Sequence, residues 1–279
     1  MGYVELHCHS AYSFLDGAST PDELGARAAD LGYPALALTD HDGVCGSLEF
    51  AHATKAFGVR PITGAELSLA GGAHVTVLVE TPKGYANLCR LLTEAHAGTR
   101  PKEGADPLPP ELPLESLLER TEGLVCLSGC ARHGLGMRDP NGAARAAVAF
   151  GPDRFYVELQ RPYERGDARR NTVLRDLARD LGVATVATGD VHVHHERRST
   201  LQDALVAIRC RTSLDGCEQE RRGNHESVLL APEEAIDRFP GDREAALRTA
   251  KIAAGLTFDL TEELGYRYPD FSDGFETPD

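Results

Sequence analysis

The sequence predicts an α/β fold of barrel type, a mainly parallel sheet wrapped by helices, with a helical extension after it. Three observations point there. Short apolar runs alternate with helix-like segments through the first 199 or so residues. Seven such runs fit a barrel of the (β/α) type better than a small open sheet, and a doubly wound sheet is the alternative. No convincing apolar run follows residue 200, where only helical patterns remain.

The elements follow in order. Tyr3–Leu6 reads as a first strand. Glu23–Leu31 reads as a helix, with Thr20 as N-cap and Pro21 at the first helical position, where its missing N–H costs nothing. Ala35–Thr39 is a strand and Ser47–Phe57 a helix. Arg60–Leu69 and Val75–Glu80 flank Ala70-Gly71-Gly72-Ala73, a loop short enough for a hairpin. Tyr85–Ala97 carries Leu88, Leu91, Leu92 and Ala95 on one helical face. Thr99–Pro113 is rich in proline, glycine and charge and reads as an exposed loop. Leu114–Glu119, Ala143–Phe150 and Asn171–Leu181 read as helices, and Leu124–Leu127, Phe155–Gln160 and Ala184–Ala187 as strands. The expected domains are a barrel over 1–199, a helical connector over 200–265 and a linker-like end over 266–279, as though the chain were cut from something longer. The connector holds the helical patterns Thr200–Arg209, Pro232–Phe239 and Arg243–Leu256.

Composition narrows the function. Of 279 residues, 42% are apolar and 26% charged, enough to bury a core without disulfides. The net charge of −14 repels phosphate backbones at long range, so phosphate chemistry here needs a local cationic site, such as a metal cluster. Tryptophan is absent and aromatics are 6%, which argues against a base-stacking platform. No apolar run reaches membrane-spanning length, no signal peptide is recognised, and the seven scattered cysteines read as reduced thiols. A cytoplasmic location is expected. P-loop, Cys-x-x-Cys, His-Glu-x-x-His and Gly-x-Ser-x-Gly patterns are all lacking.

Histidine placement carries the chemistry. His7 and His9 end the first predicted strand, two residues apart and so on one face. Thr39-Asp40-His41-Asp42-Gly43 follows the second, and Gly189-Asp190-Val191-His192 follows the last. Eleven histidines scattered at random would not gather at strand ends, where barrels build their sites. Each cluster also has a plainer reading: a surface pair for His7 and His9, a helix cap for Asp40 or Asp42. Glu66 sits inside an apolar strand, where a carboxylate is costly unless it meets a cation. Asp16, His74 and Cys130 are single candidates near such ends; the other histidines are assigned solvated or capping roles. Histidine with carboxylates and one cysteine suits zinc, manganese or iron, and a multi-metal hydrolase is the surviving chemistry.

The motifs His7-Cys8-His9-Ser10, Tyr12-Ser13-Phe14-Leu15-Asp16-Gly17, Thr39-Asp40-His41, Gly64-Ala65-Glu66 and Gly189-Asp190-Val191-His192 resemble those of the PHP (polymerase and histidinol phosphatase) superfamily. His74–Val79, Gly84–Leu88, Leu127-Ser128-Gly129-Cys130, Ala207-Ile208-Arg209 and Thr212–Asp215 resemble its branch at the amino terminus of bacterial C-family, DNA polymerase III alpha-type polymerases. Leu264-Gly265-Tyr266-Arg267-Tyr268-Pro269 is similar to their error-prone branch. The resemblance implies a distorted (β/α)7 barrel and a site for two or three divalent metals. It implies the ligands His7, His9, Asp16, His41, Glu66, His74, Cys130, Asp190 and His192. It further implies metal-assisted phosphoester hydrolysis with no separate protein base, a 3′–5′ exonuclease proofreading a DNA 3′ end, and the other polymerase domains as partners. A stand-alone phosphatase acting on histidinol phosphate or a small nucleotide, and a silent metal-stabilised scaffold, are the alternatives.

Overall fold

The computed structural model describes residues 2–100, 108–222 and 224–265. Part of the loop expected over Thr99–Pro113, and all of the end expected over 266–279, lie outside them. In chain order the elements are α1 (Pro21–Asp30), β1 (Ala35–Leu38), α2 (Ser47–Ala56), β2 (Arg60–Leu69), β3 (Ala73–Val79), α3 (Pro82–Ala95), α4 (Leu114–Leu118) and β4 (Leu124–Leu127). There follow α5 (Leu135–Arg138), α6 (Pro140–Phe150), β5 (Phe155–Gln160), α7 (Asp167–Leu181), β6 (Thr185–Thr188), α8 (Ser199–Arg209), α9 (Pro232–Asp237) and α10 (Arg243–Gly255). Proline opens α1, α3, α6 and α9. At α1 the Glu23 carboxylate also reaches back to accept the Thr20 N–H.

The strands form one curled six-stranded sheet in the order β1-β2-β3-β4-β5-β6. Ladders β1/β2, β4/β5 and β5/β6 are parallel, and β3 runs antiparallel to both its neighbours. The reversal is local. Ala70, Gly71 and Gly72 turn β2 directly into β3, and both glycines take positive φ, where a side chain is strained. Parallel neighbours instead need helical crossovers, which α2, α6 and α7 supply.

The structure corrects the expectation of a seventh strand. Tyr3–Leu6 forms no ladder. The His7 N–H, which a strand partner would take, goes to the Glu5 side chain at 2.9 Å. The segment still closes the curl. Glu5 and Cys8 carbonyls accept N–H groups of Ala37 and Thr39, while His9 and His7 bond Val191 beyond β6.

Every strand is buried on both faces, which is why they read as continuous apolar runs. One face packs on the helices through Leu36, Leu67, Val77, Cys126, Val157 and Ala187. The other face is the inside of the curl, and it changes polarity along its length. Ala37, Ile62, Leu78, Leu127 and Val186 cluster with Ile252, Ala253 and Leu256 of α10, which plugs that end. Arg60 fastens the plug by donating to the Ala253 and Leu256 carbonyls at 2.7 and 2.5 Å. Two and four residues further along the same face come Glu66, Thr76, His74 and Thr188. The apolar end is thus sealed, and the polar end, at the carboxyl ends of β1, β2, β5 and β6, is where the site forms.

Candidate metal centre

Each sequence-predicted residue arrives at this polar end by its own route. The amino-terminal segment brings His7 and His9, and the turn after it brings Asp16. His41 follows β1 and bridges to Glu66 in β2. His74 pairs with Ser68 across the hairpin, so the antiparallel β3 starts where β2 ends. Cys130 follows β4, and Asp190 and His192 follow β6. Two glycines permit the approach. A Cβ on Gly17 would meet the Ser10 carbonyl oxygen at 1.9 Å, and one on Gly129 the His74 carbonyl oxygen at 2.1 Å. Asp190 itself takes φ 52°, a left-handed conformation that costs a non-glycine residue energy and is held here by its contacts.

All nine side chains converge. Glu66 lies at the middle: its Oε1 is 2.7 Å from His74 Nδ1 and 2.9 Å from His41 Nδ1, and its Oε2 is 3.0 Å from His7 Nε2. Asp16 Oδ2 stands 3.1 Å from both His41 Nε2 and His192 Nε2. Asp190 Oδ1 lies 3.6 Å from His9 Nε2 and 3.8 Å from His7 Nε2. Three groups offer donor atoms all within 4.8 Å of one another: His9, His41 and His192; His7, His9 and Glu66; Glu66, His74 and Cys130.

These atoms are close without being satisfied. Both Glu66 oxygens, His9 Nε2, His74 Nδ1 and Asp190 Oδ1 are buried and lack any aligned hydrogen bond. Buried polar atoms left unpaired are costly, and such crowding of lone pairs is the arrangement a cation resolves. The donor set of imidazoles, carboxylates and one sulfur therefore fits divalent metal ions.

The electrostatics agree. Burial alone would raise the carboxyl pKa of Glu66, but His41, His7 and His74 hold it well below the usual range. Burial is likewise overcome at Asp190, by Arg222 and His192, and at Asp16, chiefly by His192. His41 resists burial through Glu66 and Asp16 and is pushed up to about 10. Burial pushes the Cys130 thiol well up, so a thiolate there needs a cation beside it.

A second layer aims the first. His7 Nδ1 donates to Glu158 at 2.7 Å, leaving Nε2 turned toward Glu66. Gln160 Nε2 and Thr188 Oγ1 both donate to Glu158. His192 Nδ1 donates to the Asp190 carbonyl at 3.0 Å, and His9 Nδ1 meets Ser13 Oγ at 3.0 Å. Asp40 and Asp42 are not helix caps. Asp40 accepts from Ser10 N, Ser10 Oγ and Ser13 Oγ, pinning the turn that carries Asp16, and Asp42 accepts from Ser68 N and Oγ.

Sequence reasoning missed several neighbours. Glu158 carries the same signal as Glu66, a carboxylate in an apolar strand, and was legible by that rule. Arg222, Arg209 and Arg132 carry no such signal, yet they line the open cleft of about 330 Å³ above the centre. His133, expected in a solvated or capping role, lines that cleft too, its ring 5.3 Å from His74.

Comparison with known proteins sets this geometry in context. The family model for the PHP domain matches residues 5–162. An error-prone DNA polymerase of Symbiobacterium thermophilum is 41% identical, with 100% of this chain aligned to 27% of that protein. One of Mycobacterium tuberculosis is 37% identical, with 97% of this chain aligned to 26% of it. The chain thus spans about a quarter of the length of these relatives. A solved structure from Bifidobacterium adolescentis, whose name proposes a metal-dependent phosphoesterase, superposes with a TM-score of 0.51. It covers 68% of this chain and 87% of its own, and at 17% identity the likeness is one of fold.

Proposed function

Because the chain belongs to the PHP domain family, we propose that its nine-residue centre holds two or three divalent ions and hydrolyses a phosphodiester at a DNA 3′ end, within an error-prone polymerase of the C family. The observation that carries this is the convergence of nine side chains able to ligate at one end of the curled sheet, with both Glu66 oxygens, His9 Nε2, His74 Nδ1 and Asp190 Oδ1 buried and unpaired. When bound, such ions supply Lewis-acid charge that activates a water and offsets charge on the phosphate.

The chain's own residues do the rest. His7, His9, His41, His74 and His192 would serve as neutral donors, with Glu66 shared between neighbouring positions. Asp16, Asp190 and Cys130 would complete the set. Glu158 fixes which nitrogen of His7 faces inward. Arg132 and Arg209 line the cleft mouth, paired with Glu164 at 2.8 Å and Asp16 at 3.2 Å, and in a chain whose net charge is −14 they would be the local cations a phosphate meets there.

The test is cleavage of 3′-labelled single-stranded DNA with manganese or zinc, beside chelator-treated protein and the Asp190→Ala/His192→Ala double variant. Metal-dependent release of the terminal nucleotide, lost in the variant, is expected. Bound metal with no cleavage of any DNA end would refute the exonuclease reading.

A further inference from the structure

Two arginines reach the proposed ligands: Arg209 Nη1 lies 3.2 Å from Asp16 Oδ1, and Arg222 goes deeper, to Asp190 and His192. The Arg222 Nη1 lies 2.7 Å from Asp190 Oδ2, and its Nη2 lies 2.7 Å from His192 Nε2 and 3.9 Å from Asp16 Oδ2. Burial disfavours its charge, but Asp190 and Asp16 outweigh that and keep the guanidinium protonated.

The two short contacts differ in kind. At Asp190 the guanidinium takes Oδ2, while Oδ1 is the unpaired oxygen turned toward His7, His9 and His192. That contact is compatible with a cation on Oδ1. At His192 the contact is exclusive. The His192 Nε2 faces Nη2 at 2.7 Å and Asp16 Oδ2 at 3.1 Å, so a guanidinium nitrogen stands beside the ring nitrogen where an ion shared with Asp16 would sit. That space cannot hold the guanidinium nitrogen and a metal ion together.

We propose that Arg222 is a built-in counter-cation: its guanidinium holds the metal-binding position between His192 and Asp16, and a divalent ion enters that position by displacing it. This rests on the metal-centre reading above. The exchange has a physical motive in both directions. Asp16 and Asp190 are buried acids that need positive charge nearby whether or not an ion is present. A divalent ion supplies more charge on the same atoms and repels the guanidinium, which then withdraws from His192 into the cleft it already lines. Loading is therefore a competition, and the apparent affinity falls by the fraction of molecules in which Arg222 is docked. Docking in nine molecules of ten weakens binding about tenfold.

Two measurements on the whole chain test this. Zinc affinity is read by competition with a chromogenic chelator for the parent and for Arg222→Gln and Arg222→Lys. Tighter binding by Arg222→Gln, about tenfold, is expected, with Arg222→Lys between the two. Separately, the parent protein is digested briefly with trypsin, with and without zinc, and cleavage after Arg222 is followed by mass spectrometry. Faster cleavage with zinc is expected, because the side chain is freed from His192. This second reading needs no variant and stands if Arg222→Gln does not fold. Zinc bound equally by parent and variants, or cleavage after Arg222 slowed or unchanged by zinc, overturns the exchange alone. No zinc bound by any of them overturns the metal-centre reading as well.

Discussion

Glu158 decides which nitrogen His7 presents. It has no exposure and no place among the nine proposed ligands, yet it accepts from His7, Gln160 and Thr188 at once. Glu158→Gln keeps the shape and removes the charge that orients the ring. Loss of such a second-layer carboxylate weakens metal binding by about 10–100-fold, to be read from the same chelator competition with the far-ultraviolet dichroism unchanged. An unaltered affinity would show that His7 finds its orientation elsewhere. Glu5 plays a different part. It accepts from Tyr3 Oη and from the His7 and Gly189 N–H groups, but burial pushes its carboxyl up from 4.5 to about 7. An acid whose folded pKa lies above its unfolded one stabilises the fold fully below 4.5, and that contribution is lost as pH rises through 7. At about 1.4 kcal/mol per pH unit the loss approaches ~3 kcal/mol. Denaturant unfolding in chelator at a series of pH values should show this slope in the parent and a flatter one in Glu5→Gln; equal slopes would refute it. These residues also mark what a sequence can disclose. His7, His9, His41, Asp190 and His192 stood out because strand ends gather them, and Glu66 because it interrupts an apolar run. Arg222 could not stand out: it follows no strand or helical period, and its partners lie 30 and 32 positions away.

Elements were legible to the extent that their pattern was local. The helix over Arg243–Leu256 was visible from its period, but a period names an apolar face and not its partner. That α10 plugs the curled sheet follows from packing across the whole chain, as when Val4 N–H donates to Thr249 Oγ1. The four-residue α5 is too short for any period to show. The first strand was visible as an extended run, but its missing ladder was not, because the diversion of one N–H to Glu5 is a matter of side-chain geometry. The plug makes a quantitative claim. Ile252 on α10 is 7% exposed and faces Val4, Ile62 and Leu78, whereas Ile208 on α8 is 61% exposed. Ile252→Ala should cost about 2–4 kcal/mol, and Ile208→Ala less than about 0.5 kcal/mol, compared through denaturant midpoints. Equal costs would mean that α10 does not seal the sheet.

At the scale of the molecule, the proposed ligands tie together parts of the chain that are far apart in sequence. They run from His7 to His192, through the closing segment, β2, β3 and the turns after β1, β4 and β6. Acids and imidazoles crowded there without aligned partners are a standing cost to the fold. An ion that binds only this convergent arrangement stabilises it by mass action, about 2.7 kcal/mol at one hundred times its dissociation constant. In a domain of 150–250 residues each kcal/mol moves the melting temperature by about 2–4 °C. Zinc or manganese at that excess should therefore raise the midpoint of chelator-treated protein by about 5–10 °C. The Asp190→Ala/His192→Ala double variant should show no such rise. This sets the centre apart from adventitious binding by surface acids, of which a chain of net charge −14 has many, because ions held at the surface do not link the sheet's two edges. Should parent and double variant gain equally from the metal, the ions would lie on that surface and not at the mouth of the curled sheet.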